Sequence, residues 1–337
     1  MLRIVGRVLV LVVAAVALYG LMPQLLDVWG TVPQLRSVSI VWFAVMVLLE
    51  TGSYACVWAL TRVALPQVSW FVASTSQLVS NAVSKAVPGG AAMGAAAGWR
   101  MLSVSGVEKG SAGAALTATA IISNGVLFML PMVALLLSIV GAPVPSGLHL
   151  VAWGGAALFV LLFVVGITLV RFDRPLELLG EGLEWVARPV LSRLHRDGGP
   201  TAAGLVRQRD LMVKGLGARW RTALAAAVGN WLLDYFALVA ALVAVGVTPR
   251  LSLVLLAYGA AAVLAMIPIT PGGLGFVEAG LTAMLVLAGV PSADALLATL
   301  AYRIVSYWLP LPAGVVAHVV FRHRYGRTEG VVPRSAS

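Results

Sequence analysis

The sequence predicts an all-α polytopic membrane protein, with about six full transmembrane helices plus two oppositely oriented re-entrant helical hairpins, arranged as an inverted repeat. Three observations predict it. Of 337 residues, 60% are hydrophobic and only 11% charged, with mean hydropathy +0.97, whereas a soluble domain carries roughly 25% charged residues. Apolar stretches of about 20 residues recur. Two further regions, 68–104 and 251–289, are interrupted at "VPGG" and "TPGG".

Full spans are expected near 4–22, 38–64, 111–140, 147–171, 219–246 and 292–321. The first could pass for a signal peptide, but no small-x-small cleavage site follows it, so a retained helix is expected. After each Pro-Gly-Gly lies a stretch of about 15–17 residues, at most roughly 25 Å of helix against a hydrocarbon core of about 30 Å. Each region therefore reads as a hairpin that turns back at membrane depth. Two kinked but complete spans per region are the alternative, with the same parity.

The net charge of +10 is distributed by side. With the N-terminus inside, Arg3, Arg7, Arg62, Arg100, Lys109, ten basic residues between Arg171 and Arg221, and Arg322, Arg324, Arg327 and Arg334 all fall on the cytoplasmic side. Only Arg36 and Arg250 fall outside, so both termini are expected in the cytoplasm of a plasma-membrane protein. Nucleic acid is not an expected partner. Arg far outnumbers Lys and Ala and Val abound, which points to a GC-rich prokaryotic genome. The single cysteine, Cys56, excludes an internal disulfide.

The chain reads as one membrane domain, 1–337: repeat one at about 38–140, a cytoplasmic loop 172–218, repeat two at about 219–321, and a basic tail 322–337. A constant offset of 183 residues aligns Pro88-Gly89-Gly90 with Pro271-Gly272-Gly273, and Gly106-Val107 with Gly289-Val290. The first hairpin enters from the cytoplasm and the second from outside. Broken helices in inverted repeats place substrate sites near the midplane. Thr270 is expected to cap a half-helix beginning at Pro271, whose N-terminus would favour an anion. Packing alone is the competing use of these glycines, and of Gly90, Gly94 and Gly98 at four-residue spacing.

Charged side chains within spans mark functional sites by default. Here they are Glu50, Lys85, Asp234, Glu278 and Arg303. Gln77, Ser80, Asn81, Ser84 and Lys85 form a polar stripe, while Asn230 and Asp234, and Arg303 and Tyr307, are each four apart. Arg303 suits a headgroup phosphate, because a guanidinium matches its oxygens bidentately, or else a bridge to Glu278. Lys85 is a phosphate or counter-ion candidate and Asp234 a proton-coupling one. Glu278 suits an ion pair, a cationic headgroup or a proton. The substrate-binding set is thus Lys85, Pro88, Gly89, Gly90, Asp234, Pro271, Gly272, Gly273, Glu278, Arg303 and Tyr307.

"NAVSKAVPGGAAMGAAAGWRML", "PITPGGLGFVEAG" and "YRIVSYWLPLPAG" resemble signatures of the lysylphosphatidylglycerol synthase/flippase transmembrane-domain family. The resemblance covers essentially the whole chain, and its most specific parts are the Pro-Gly-Gly-x-Gly-x-x-Glu element and the arginine of the last long helix. It implies a domain that moves an aminoacylated phospholipid between leaflets. Relatives without the fused synthase domain are linked to other lipids, including polyprenyl-linked glycolipids. Only a short tail follows residue 321, so a member without that domain is expected.

The expected function is a flippase for an anionic or aminoacylated phospholipid or a polyprenyl-linked glycolipid, with no enzymatic activity, cofactor or metal. Its partners are membrane lipids as substrate, and anionic inner-leaflet lipids under the amphipathic loop. A polyprenyl-dependent transferase is one alternative, although His149, His195, His318 and His323 show no metal-ligand spacing. The other is a non-transporting subunit that docks a lipid-synthesis enzyme at the loop.

Overall fold

A computed structural model describes residues 40–87, 90–140, 143–193, 201–267 and 270–325. The expected helix near 4–22, Pro88, Gly89 and most of the basic tail lie outside the described residues. Twelve α-helices follow one another among those described, with no strand. They are α1 (Ile40–Ala64), α2 (Trp70–Ala86), α3 (Gly90–Val104), α4 (Lys109–Val140), α5 (His149–Arg171) and α6 (Asp173–Arg193). After these come α7 (Ala202–Leu216), α8 (Trp220–Ala244), α9 (Leu251–Leu264), α10 (Phe276–Leu287), α11 (Ser292–Arg303) and α12 (Pro310–Tyr325).

Five segments are long and apolar enough to cross a bilayer: Ile40–Ala64, Lys109–Ile139, Ser146–Arg171, Ala202–Ala244 and Ser292–Tyr325. Each overlaps one expected span among the described residues, although Ala202–Ala244 begins within the expected cytoplasmic loop 172–218. The helices of the two interrupted regions are shorter. α2 and α3 have 17 and 15 residues, α9 and α10 have 14 and 12. At 1.5 Å per residue the longest reaches about 25 Å, and none matches a core of about 30 Å.

Local chemistry sets the ends. The Ser69 hydroxyl caps α2 by accepting from the Val72 N–H at 3.3 Å, and α2 stops at Val87 because a residue before proline is pushed into extended backbone. Gly106 and Gly289 close α3 and α10 in the same way. Each adopts positive φ, and the next residue's N–H reaches back five positions, from Val107 to Leu102 and from Val290 to Leu285. These are the pairs that the 183-residue offset aligns.

α1 and α8 form the most extensive helix pair. They approach closely because Gly229 faces Cys56 and Gly52 faces Leu233, and a Cβ at Gly229 would stand 2.9 Å from the Cys56 Sγ. Around this pair, α12 packs on α2 and α4 packs on α9. The ring of Pro131, inside α4, is received by Gly155 of α5 and Gly259 of α9. α2 and α3 close on each other through Gly94 and Gly98, which lie against Ser76, Ser80 and Ser84.

α6 and α7 form a separate hairpin, fastened by Arg209, which pairs with Asp173 at 2.5 Å and with Asp210 at 2.8 Å. Leu178, Leu179, Leu183 and Trp185 of α6 are exposed.

A Cβ on Gly94 would come within 2.5 Å of the Ser80 carbonyl oxygen, a backbone atom that cannot rotate away. Gly94→Val is therefore expected to destabilise the protein by about 1–3 kcal/mol. The measurement is the melting temperature in detergent beside Gly154→Ala, where the added Cβ meets nothing within 4 Å.

Candidate functional site

The site begins with a missing amide. Pro310 has no N–H to offer the carbonyl of Ser306, four residues earlier. The chain widens into a π-helical turn over Ile304–Trp308, where the Leu309 N–H bonds the Ile304 carbonyl at 2.9 Å. The freed Ser306 carbonyl accepts from the Lys85 Nζ at 2.7 Å. Lys85 sits in the last turn of α2, so the break of the first region is tied directly to the last long segment.

Tyr307, fully buried, joins the second break to the first two. Its hydroxyl donates to the Lys85 carbonyl at 3.2 Å. Gly272, in the 3-10 turn Pro271–Gly273, lies on that hydroxyl and on the same carbonyl; a Cβ there would stand 2.5 Å from the Lys85 oxygen. Its φ of +62° also favours glycine. Lys85, Gly272 and Tyr307 are thus in direct contact.

Arg303 and Glu278 form a pair, with Nε donating to Oε1 at 2.6 Å. The guanidinium also covers the Tyr307 ring at 4.2 Å, and the Lys85 Nζ lies 5.2 Å from the same ring. The pair does not exhaust its hydrogen-bonding capacity. Glu278 Oε2 and Arg303 Nη2 are buried without a partner, as are the hydroxyls of Thr282 and Thr299, each four residues from one of them on the packed helices α10 and α11.

Asp234 lies near the middle of α8 and is held by two phenols. Tyr258 donates to Oδ2 at 2.5 Å and Tyr302 to Oδ1 at 2.8 Å. The buried Glu50 carboxyl, near the middle of α1, lies on the same stretch of the α1–α8 contact as Asp234, where Gly52 meets Leu233 and Asn230 reaches Ser53, and its Oε2 has no donor. Close by, Asn230 donates to the Ser53 hydroxyl at 2.7 Å and Tyr54 donates to the Asn81 Oδ1 at 3.1 Å.

The polar stripe of α2 divides its attention. Gln77 donates to Thr61 and Ser80 to the Gly94 carbonyl, while Asn81 and Lys85 turn to α1 and the π turn. Gly90 has φ +39° and approaches the Ser84 carbonyl. Thr117 accepts from Gln208 of α7 at 3.4 Å. One local expectation needs correction. Thr270 does not cap a half-helix: its hydroxyl donates to the Leu274 carbonyl at 2.9 Å, and α10 begins only at Phe276. Gly272, Gly273 and Gly275 all take positive φ, so the backbone leaves the turn before it can become α-helical.

Sequence reasoning missed Tyr54, Tyr258 and Tyr302 as carboxylate neighbours. The signal was weak: Tyr302 adjoins Arg303, and Tyr258 is one phenol within an apolar stretch.

Among the described residues, five segments long and apolar enough to span and ionisable groups gathered inside the bundle mark a polytopic membrane protein with a polar interior. The chain belongs to the family described as lysylphosphatidylglycerol synthase TM region, whose model matches residues 4–314. Over 94 residues it is 31% identical to a UPF0104 membrane protein from Methanothermobacter thermautotrophicus. That match covers 28% of this chain and 27% of the relative, so the chain spans about a quarter of the relative's length. No solved structure matches at a significant level.

Removing one member of a buried ion pair strands the other, at a cost of about 3–5 kcal/mol. Glu278→Gln is expected to show a loss of that order in unfolding measurements. The double variant Glu278→Gln/Arg303→Gln, with no stranded charge, should recover most of it.

Proposed function

We propose that the protein is a lipid flippase or translocase that moves an anionic or aminoacylated phospholipid, or a polyprenyl-linked glycolipid, between leaflets without covalent chemistry. The observation that carries the reading is the combination of charge and access. Lys85, Asp234 and Glu278 lie inside the bundle, yet retain partial exposure, as do Tyr54 and Asn81. Polar groups at that depth are tolerated where they line a wet or headgroup-filled path.

The packing supports an inverted repeat. Pairing α1 with α8, α2 with α9, α3 with α10, and α4 with the segment α11–α12 maps the main helix contacts onto one another: α2 lies on α12 as α9 lies on α4, and α2 on α3 as α9 on α10. The short helices of both interrupted regions support re-entrant hairpins over kinked spans. In this reading Arg303 and Lys85 bind the headgroup phosphate, Tyr307 spaces them, and Glu278 holds Arg303 in place until substrate replaces it. Gly272 and Gly273 let the backbone approach closely.

The amphipathic hairpin α6–α7 would rest on anionic lipid at the cytoplasmic surface, its exposed leucines and Trp185 in the headgroup layer. The two termini would lie on that same side of a plasma membrane.

The test is leaflet exchange in proteoliposomes with fluorescent anionic, aminoacylated and polyprenyl-linked lipids. Losing a charge-assisted hydrogen bond costs about 1.5–3 kcal/mol, so exchange by Glu278→Gln/Arg303→Gln should fall ~10- to 100-fold while the variant stays folded. Equal exchange by this variant and the wild type, or none with any lipid, would sink the reading.

A further inference from the structure

The buried charges do not balance. Two cations, Lys85 and Arg303, stand among three carboxyl groups, Glu50, Asp234 and Glu278, in one connected cluster. Glu278 is matched by Arg303. That leaves Lys85 to balance both Glu50 and Asp234, and its ammonium is already spent on the Ser306 carbonyl. Two adjacent carboxylates in a low-dielectric interior repel strongly, and one proton between them removes the repulsion and makes a hydrogen bond.

Geometry says where that proton belongs. Both Asp234 oxygens accept from phenols, which suits a carboxylate, whereas Glu50 Oε2 is buried with no donor. The groups that face the pair are few. They are Tyr54 on α1, Lys85 from α2, Tyr258 from α9 and Tyr302 from α11, while Arg303 faces Glu278 and Tyr307 instead. Tyr235 of α8 donates elsewhere, to the Leu251 carbonyl. α4 carries no titratable side chain beyond Lys109 at its first residue. α7 meets α1 at Ala64, far along the helix from Glu50.

We propose that Glu50 and Asp234 share one proton while the phosphate site is empty and take up a second when an anionic headgroup occupies Lys85 and Arg303, so that each lipid anion moves with a proton. Resting on the flippase reading for its substrate, this adds the energy source. With one shared proton the cluster is neutral. A phosphate monoanion makes it negative by one, and a second proton on the Glu50–Asp234 pair, which loses the balancing charge of Lys85 to the phosphate, restores neutrality; one of the Tyr258 and Tyr302 hydroxyls can rotate to accept from the Asp234 acid it had supported. Lys85 links the halves, because it belongs to both the phosphate site and the field at the carboxyl pair.

Infrared spectroscopy of the purified protein tests the shared proton without transport. Wild type should show a protonated-carboxyl C=O band that shifts in deuterated water and disappears in Glu50→Gln. Asp234→Asn, which leaves Lys85 to balance Glu50 alone, should also remove the band, a second reading should Glu50→Gln fail to fold. Calorimetric titration with short-chain phosphatidylglycerol tests the coupling: uptake of one proton per anion makes Kd fall by about tenfold for each pH unit lowered, while Glu50→Gln/Asp234→Asn, which leaves neither carboxyl of the pair to take a proton, flattens the dependence. Glycerol phosphate forms the second arm, and equal binding there would assign the site to a free phosphate ester instead of a lipid.

No carboxyl band in the wild type, or binding that ignores pH, overturns the proton proposal and leaves the flippase standing. A band that is present and lost on mutation, together with no binding of either probe, upholds the shared proton and removes the lipid reading.

Discussion

A carbonyl without an amide partner organises the interior of this molecule. Pro310 cannot serve the Ser306 oxygen, and an unpaired buried carbonyl costs about 1–3 kcal/mol. Lys85 supplies the missing donor from another part of the chain, 221 residues away. The same contact satisfies an ammonium that lipid would otherwise repel. Because it also fixes the end of α2, it positions the Lys85 carbonyl for Tyr307, and Tyr307 in turn receives Gly272 and carries Arg303 over its ring. Remove the proline and the chain of dependencies loses its first link.

Around that point the energetics have a common theme. Burying charge is expensive, and the fold offsets the expense with short, specific contacts instead of broad apolar packing. Arg303 has Glu278 and an aromatic face, Asp234 has two phenols, and Lys85 has a carbonyl. The helices reach these distances because glycine stands at their crossings: Gly52 and Gly229 between α1 and α8, Gly94 between α2 and α3, Gly314 between α12 and α2. Apolar burial then encloses the polar centre, with alanines and leucines of α8 and α9 supplying much of the core.

Much of this was legible in the chain. Long apolar runs give α1, α4, α5, α8 and the α11–α12 segment, since period and length are local properties. Arg303 beside Tyr307 followed from a four-residue step, and the alternative that Arg303 bridges to Glu278 is the contact observed. What was not legible depended on partners distant in sequence or on backbone torsions. Nothing near Tyr258 says that its hydroxyl will meet Asp234. Thr270 before Pro271 is a sound capping signal, but three glycines taking positive φ delay the helix to Phe276, and torsions at glycine are decided by what approaches them. The Lys85–Ser306 bond needed both a π turn and a hairpin end to be known together.

The division between local and distant determinants bears on motion. α1 and α8 are locked by interdigitated glycines and by the Asn230–Ser53 hydrogen bond, which leaves them little freedom to slide. The two interrupted regions are joined to each other by a handful of polar contacts at Lys85, Gly272 and Tyr307. Polar contacts exchange partners at low cost when a competing phosphate arrives, whereas interlocked backbones do not. In the proposed cycle the α1–α8 pair is therefore the fixed frame, and the helices resting on it move: α2 with α12 on one side, α9 with α4 on the other. A phosphate that takes Arg303 from Glu278 and Lys85 from Ser306 would loosen the polar centre at which Gly272 of the second interrupted region meets Lys85 and Tyr307. Substrate binding and opening are then one event, and the carboxyl pair on the frame stays in place to register it.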